Sequence, residues 1–213
     1  MTPRDEAASF WESHYGSRRA GGERANPLLV ETAEPLPAGA ALDLGCGAGG
    51  DTLWLARRGW QVTAVDISGT AVERVRARAR ELDVDSRVAG AQHDLARSFP
   101  DGSFDLVSAQ YLHTPFAFPR SRVLRTAARA LRLGGRLLIV DHGSTAPWSW
   151  NQDPDTHYPT PDEIAAGLAL DPGQWDVVRA DMPRRRATGP DGRTATVTDN
   201  VLLIRRTAAD RSD

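Results

Sequence analysis

Apolar and polar positions change period along this chain, and the changes mark its elements. From Ala40 on, short apolar runs at 40–44, 61–66, 87–92, 104–109 and 136–140 predict strands, while the stretches 50–58, 70–82 and 120–132 carry helical periodicity. In the second of these helices Val72, Val75, Ala79 and Leu82 form the buried stripe, and Thr70 with Glu73 makes a capping box. Gly59 stops the first helix and Leu133-Gly134-Gly135 closes the third. Such alternation of strands and helices demands a parallel sheet.

The flanks read differently. Ala8, Trp11 and Tyr15 at helical spacing, with Phe10 and His14 adjoining, predict an amphipathic helix over Asp5 to Tyr15. Gly16 to Arg24 is rich in glycine and arginine and reads as mobile. Asn26-Pro27 then has the N-cap and N1 chemistry of a helix through about Ala33, ended by Pro35 to Gly39. After a long loop come a helix from Pro161 with Thr160 and Glu163 as capping box, a strand Trp175 to Ala180, a turn at Pro190-Asp191-Gly192 and a strand Thr194 to Arg205. The hairpin-like connection of the last two places an antiparallel strand at the end of the sheet. The expected fold class is α/β with seven strands, and Ala208 to Asp213 is a frayed tail.

Composition narrows the partners. The 213 residues, 40 % hydrophobic and 25 % charged, suffice for one full core, so a single domain is expected. A net charge of −2, with Arg184-Arg185-Arg186 as the dense basic run, argues against nucleic acid. The lone Cys46 cannot form an internal disulfide, the N-terminus lacks the apolar stretch of a signal peptide, and no apolar run approaches the roughly twenty residues that span a bilayer. A cytoplasmic protein without membrane contact is the expectation.

The chemistry gathers at Ala41-Leu42-Asp43-Leu44-Gly45-Cys46-Gly47-Ala48-Gly49-Gly50, an apolar run that breaks into glycines and then turns helical. Such a turn admits positive φ, close approach of a ligand to the main chain, and N–H groups aimed at it. Gly-x-Gly-x-x-Gly also fits dinucleotide enzymes. Asp43, two residues before the first glycine, disfavours a pyrophosphate and favours S-adenosylmethionine, which carries a sulfonium and an ammonium but no phosphate.

The order of elements and motifs resembles the class I, Rossmann-like S-adenosylmethionine-dependent methyltransferases. Asp43-x-Gly45-x-Gly47-x-Gly49 is similar to the family's first motif, Val65-Asp66-Ile67-Ser68 to its second and His93-Asp94-Leu95 to its third. Phe104-Asp105-Leu106-Val107 is similar to the fourth, and Leu133-Gly134-Gly135-Arg136-Leu137 to the turn into strand five. The resemblance implies a three-layer, seven-stranded, mostly parallel sheet with a terminal antiparallel strand. It divides the single domain into an N-terminal helical lid over 1–38, a cofactor-binding core over 40–142, and a substrate-side loop, helix and hairpin over 143–207.

It also implies roles. Asp66 would accept hydrogen bonds from both ribose hydroxyls, Asp94 would accept the adenine amine, Leu95 would donate a backbone N–H to the ring, and Ile67 and Leu95 would sandwich the adenine. By position alone, Gln110 at the end of strand four would face the switch-point crevice and contact the methionine end, Cys46 would contribute its backbone and small size, and Trp11, His14 and Tyr15 would either fold over the site as a lid or pack their helix on the core. Phe10-Trp11-x-x-x-Tyr15 followed by Asn26-Pro27 looks similar to the branch of tellurite-resistance and thiopurine methyltransferases, although Ala20-Gly21-Gly22-Glu23-Arg24 lacks the tryptophan that relatives there often carry.

Methyl transfer from a sulfonium is an in-line displacement with an activated donor, so a base is optional for thiolates and neutral amines and needed for most hydroxyls. His113, after strand four, and His142, after strand five, stand at the ligand-bearing edge as catalytic bases or substrate contacts. Gln110-Tyr111 stands where a metal-dependent enzyme would place an acid, so no metal is expected. Gln110-Tyr111-Leu112-His113 also departs from the run with which amino-methylating DNA enzymes hold a flipped base. Tyr111, Phe116-Ala117-Phe118-Pro119 and Pro147-Trp148-Ser149-Trp150 suggest a small, partly apolar acceptor, and loop tryptophans could instead bury against the scaffold. The expected activity is methylation of a small-molecule heteroatom, sulfur or another chalcogen ahead of oxygen and nitrogen, yielding S-adenosylhomocysteine. Alternatives are an O- or N-methyltransferase with a histidine base, a non-catalytic cofactor-binding module and a nicotinamide-dependent reductase. The protein would be a monomer or homodimer.

Overall fold

The computed structural model describes residues 3–17, 24–149, 151–189 and 191–208. Most of the Gly16–Arg24 stretch, Trp150, Pro190 of the expected turn, and the tail from 209 lie outside the described residues. In chain order the elements are α1 (Pro3–Ser17), α2 (Pro27–Ala33), β1 (Ala40–Leu44), α3 (Gly50–Arg57), β2 (Gln61–Asp66), α4 (Gly69–Glu81), β3 (Val88–Gln92) and β4 (Phe104–Gln110). There follow α5 (Arg120–Arg129), β5 (Leu131–His142), α6 (Pro161–Leu168), β6 (Trp175–Asp181), β7 (Arg184–Thr188) and β8 (Thr194–Arg206).

The sheet runs β3-β2-β1-β4-β5-β8-β6. The first five strands are parallel, and β8 inserts antiparallel between β5 and β6. From β1 the chain builds outward through β2 and β3, then returns to place β4 on the other side. That reversal opens a crevice at the C-terminal ends of β1 and β4, where ligands of open α/β sheets bind.

Strand parity sorts the residues between two helical layers. Leu42, Leu44, Val107, Ala109, Leu137 and Ile139 pack with α5 and α6, whereas Ala41, Leu106, Leu138 and Val140 pack with α2 and α3. Asn26 caps α2 through its side chain, and Thr160 and Glu163 form the reciprocal capping box at α6.

Four local expectations are corrected. Ser68, not Thr70, caps α4: its hydroxyl accepts from Ala71 N at 3.1 Å, while Thr70 turns its N–H and hydroxyl to Glu12. Helix α5 stops at Arg129, short of residue 132, because Leu131 is buried beside Phe104 and already belongs to β5; the strand then shifts register before Arg136. The sheet also gains an eighth strand. The Arg184-Arg185-Arg186 run is β7, in which Arg185 alone of the three turns inward, and three consecutive arginines conceal that alternation. The turn before β8 therefore joins β7 to β8, not β6 to β8.

No helix among the described residues is long and apolar enough to cross a membrane.

Candidate functional site

The turn from β1 into α3 is held by main-chain bonds. Gly45 N and Cys46 N donate to Val65 O at 2.8 and 3.0 Å, and Gly49 N donates to Cys46 O at 2.8 Å. Gly47 has φ +50°, and a Cβ there would stand 2.8 Å from the Tyr15 hydroxyl, so a side chain would be both strained and obstructed.

Above this turn lies a cavity of about 420 Å³. Its floor is Gly45, Asp66 and Ile67, and one wall is His93, Asp94, Leu95 and Ala96. The opposite wall is Tyr111–Thr114 with Phe116–Pro119 and Arg122, and Ala7, Trp11 and Tyr15 of α1 lie across the top. Helix α1 is fastened at several points. Glu12 accepts from the Ser68 hydroxyl at 2.7 Å and from Thr70, at the N-terminus of α4, where a helix favours an anion. The hydroxyls of Thr70 and Ser68 hold Glu12 below its ordinary carboxylate value. Trp11 Nε1 donates to Thr114 Oγ1 at 3.3 Å, and Phe10 meets Phe116 edge-on at 5.6 Å between ring centres.

Asp66 joins the floor to the turn. Its Oδ2 accepts from Gly47 N at 3.0 Å and its Oδ1 from Ser68 N at 2.9 Å. Burial pushes its carboxyl above the ordinary value, and those N–H groups oppose the rise. A carboxylate offers about four lone-pair sites, so acceptor capacity remains on both oxygens. The charged side chains of the lining are the carboxylates of Asp66 and Asp94 and the guanidinium of Arg122.

On the wall that follows β4, His113 Nε2 stands 3.2 Å from Asp141 Oδ1, the imidazole partly exposed and the carboxylate 1 % exposed. Arg120 Nη2 reaches both oxygens of Asp141, at 2.7 and 2.6 Å. Behind this group Tyr111, with φ +51°, donates its hydroxyl to Asp199 at 3.0 Å, accepts from Arg185 at 3.0 Å and stacks on His142 at 4.5 Å. Burial, with the Asp199 charge, pushes the Tyr111 phenol up to about 12, so it stays protonated. Burial, then the neighbouring His113, holds His142 below the usual histidine value.

Of the residues singled out from the sequence, Trp11, Tyr15, Gly45, Asp66, Ile67, Asp94, Leu95, Tyr111, His113 and Phe116 line this cavity. Gly47 and Gly49 shape the turn beside it. Asp43, Gln110 and His142 have the parity of the α2/α3 face and do not line it. Asp43 accepts from Thr52 Oγ1 at 2.6 Å, and Gln110 accepts from Asn26 Nδ2 at 2.8 Å and donates to Ser108. Cys46 packs against Ala64 and Val75, and burial, then the Asp43 and Asp66 charges, raises its thiol well above the ordinary value. His14 packs among Phe10, Trp11 and Tyr15, and the Trp148 ring lies over Gly189 beyond β7, so neither lines the cavity.

Sequence reasoning missed Glu12, Arg120 and Asp141. Asp141 stands next to His142 in the chain, which invites reading the two as a pair. Adjacent strand residues point to opposite faces: Asp141 takes the polar contact with His113 Nε2, while His142 stacks on Tyr111 at 4.5 Å and lies 6.0 Å from the His113 ring. Among the described residues no group of three or more His, Cys, Asp or Glu side chains could hold a metal ion.

Burial, with the Asp51 charge adding to it, pushes Asp43 up to about 7, and burial pushes Asp51 up to about 6 against the Asn26 N–H. Both folded values exceed the ordinary 3.8, so the folded form binds more protons between these limits. Their stabilising contribution is fully present below the unfolded value and is lost as pH rises through about 6 to 7. Thermal melts of the ligand-free protein are expected to drop in midpoint from about pH 5 to about pH 8, and Asp43→Asn to flatten that drop. An unchanged slope in the variant would remove Asp43 as its source.

Comparison with known proteins gives a consistent picture. A family model described as "Methyltransferase domain" matches residues 42–139. Methyltransferase GfsG of Streptomyces halstedii is 37 % identical over 127 residues, 56 % of this chain and 44 % of that protein. The 27-O-demethylrifamycin SV methyltransferase of Amycolatopsis mediterranei is 43 % identical over 112 residues, 50 % of this chain and 40 % of that protein. The match thus spans less than half the length of either relative. A structure described as conversion of a disulfide bond into a thioacetal group during echinomycin biosynthesis superposes with a TM-score of 0.69 at 24 % identity, covering 94 % of this chain and 91 % of the other, which speaks for the fold alone. Residues 42–139 are thus similar to a methyltransferase domain, and the sheet that carries them has the Rossmann-like order of mostly parallel strands.

Proposed function

We propose that this chain transfers a methyl group from S-adenosylmethionine to a hydroxyl of a small, largely apolar acceptor, with His113 as the general base. The observation that carries this reading is His113 in the cavity wall with Nε2 3.2 Å from the buried Asp141 carboxylate. An imidazole whose Nε2–H is held by a carboxylate leaves Nδ1 to take a proton. A thiolate needs no such partner, so this pair moves oxygen ahead of sulfur.

When bound, S-adenosylmethionine supplies a methyl group already activated on sulfur. Asp66 takes the ribose hydroxyls on its remaining lone pairs, Asp94 takes the adenine amine, and Ile67 and Leu95 lie against the base. Trp11 and Tyr15 close the top and exclude water, which strengthens each polar contact beneath them. Phe116, Phe118 and Leu112 bury the apolar body of the acceptor, so its hydroxyl is aligned by packing and its proton leaves to His113. The narrower likeness to the tellurite-resistance and thiopurine branch does not enter this reading.

The test uses 2-naphthol and 2-naphthalenethiol as matched probes with methyl-labelled S-adenosylmethionine. Transfer to the naphthol is expected to be lost when His113 is replaced by glutamine, while transfer to the ionised thiol, which needs no proton removed, is expected to continue. Methylation of the thiol alone would return the acceptor to sulfur. Tight S-adenosylhomocysteine binding without transfer to any acceptor in small-molecule extracts would make the chain a binding module.

A further inference from the structure

We propose that Arg120 is a positioning residue that fixes His113 in the orientation needed to act as base, an inference that rests on the reading of His113 above. Arg120 is the first residue of α5, where a cation is disfavoured by the helix dipole, and the first turn of that helix holds no acid to compensate. Its local position therefore does not explain it.

Its contacts do. While Nη2 reaches both oxygens of Asp141, Nε donates to Leu112 O at 3.2 Å, the carbonyl immediately before His113. One rigid guanidinium thus ties the backbone that carries His113 to the carboxylate that receives its Nε2. The three residues form a closed triangle, Asp141 to the imidazole, Asp141 to the guanidinium and the guanidinium back to the loop. Without Arg120 the loop after β4 could rotate and the imidazole could offer either nitrogen to the carboxylate, exposing the wrong atom to the acceptor. Because guanidinium does not deprotonate in proteins, the triangle persists through the proton transfer. Lysine, with one nitrogen, cannot bridge the carboxylate and the Leu112 carbonyl in the same way.

Ring-nitrogen NMR of protein labelled with ¹⁵N-histidine tests this without needing the natural acceptor. At about pH 8, where an ordinary histidine is neutral, wild-type His113 is expected to show one tautomer with the proton on Nε2, identified by the signal missing from His113→Gln. Arg120→Gln is expected to lose that pattern and give a mixture of tautomers, with the His14, His93 and His157 signals unmoved as the fold control. Arg120→Lys is expected to do the same and decides the matter if the glutamine variant does not fold. A His113 pattern identical to wild type in the folded variants overturns the proposal. With 2-naphthol as the acceptor probe, kcat is expected to fall roughly tenfold to a hundredfold at unchanged KM for S-adenosylmethionine. The methyltransferase reading fails separately, on absent S-adenosylhomocysteine binding or absent transfer, neither of which enters the histidine spectrum.

Discussion

Asp66→Asn is expected to weaken S-adenosylhomocysteine binding by about a hundredfold, the loss of roughly 3 kcal/mol, while the fold survives. The carboxylate already receives Gly47 N and Ser68 N, one on each oxygen, with a further backbone N–H from Ile67 nearby, and its about four lone-pair sites leave room for a ribose hydroxyl. Asparagine keeps one oxygen and presents an amide donor where the other stood. Whichever way the amide turns, it faces an N–H of the glycine turn or of the Ser68 cap, donor against donor. The variant therefore loses a charge-assisted bond to the ligand and disturbs the floor beneath it. The fold is spared because burial disfavours the Asp66 charge in the folded protein, so neutralising it removes a cost as well as a contact. Calorimetry with S-adenosylhomocysteine and a parallel thermal melt measure both halves. Affinity within threefold of wild type would take Asp66 out of the site.

What could be read from sequence follows from how local each feature is. The glycine turn, Asp66 and Asp94 sit at fixed offsets from strands whose apolar runs are plain, so topology alone carries them to one edge. Asp43, Gln110 and His142 occupy the same edge, and a reading by position along the chain groups them with the rest. Parity separates them: counted from the buried Ile139 and Val140, Asp141 faces α5 and His142 faces α2, and that difference depends on which helix covers which face. Arg120 could not be found this way, because its partners, Leu112 and Asp141, come from the loop after β4 and the end of β5. The β7 strand was hidden for another reason. Its three arginines carry no apolar alternation, and only the pairing of Arg185 with the buried Asp199 on β8 reveals the inward face. Trp148 illustrates the converse, an aromatic loop residue of the expected kind whose loop folds over Gly189 and away from the cavity.

His113→Gln is expected to lower kcat on 2-naphthol by about two to four orders of magnitude, the usual contribution of a general base, with S-adenosylhomocysteine affinity within twofold of wild type. Glutamine retains a polar side chain of similar reach toward Asp141 but has no basic nitrogen, so it separates proton transfer from packing. Asp66, Ile67, Asp94 and Leu95, the residues proposed to hold the cofactor, come from the end of β2 and the loops after β2 and β3, which is why binding is spared. The matched thiol discriminates further. Once ionised, 2-naphthalenethiol needs no proton removed, and its methylation by the variant is expected to stay near the wild-type rate above the thiol's own ionisation. Asp141→Asn adds a third point. It leaves His113 in place but replaces a carboxylate that accepts from the imidazole and the Arg120 guanidinium, so a smaller loss, again confined to the hydroxyl probe, is expected. Equal losses on naphthol and thiol in His113→Gln would mean that His113 shapes the pocket without moving a proton. Unchanged turnover on naphthol would remove it from the chemistry.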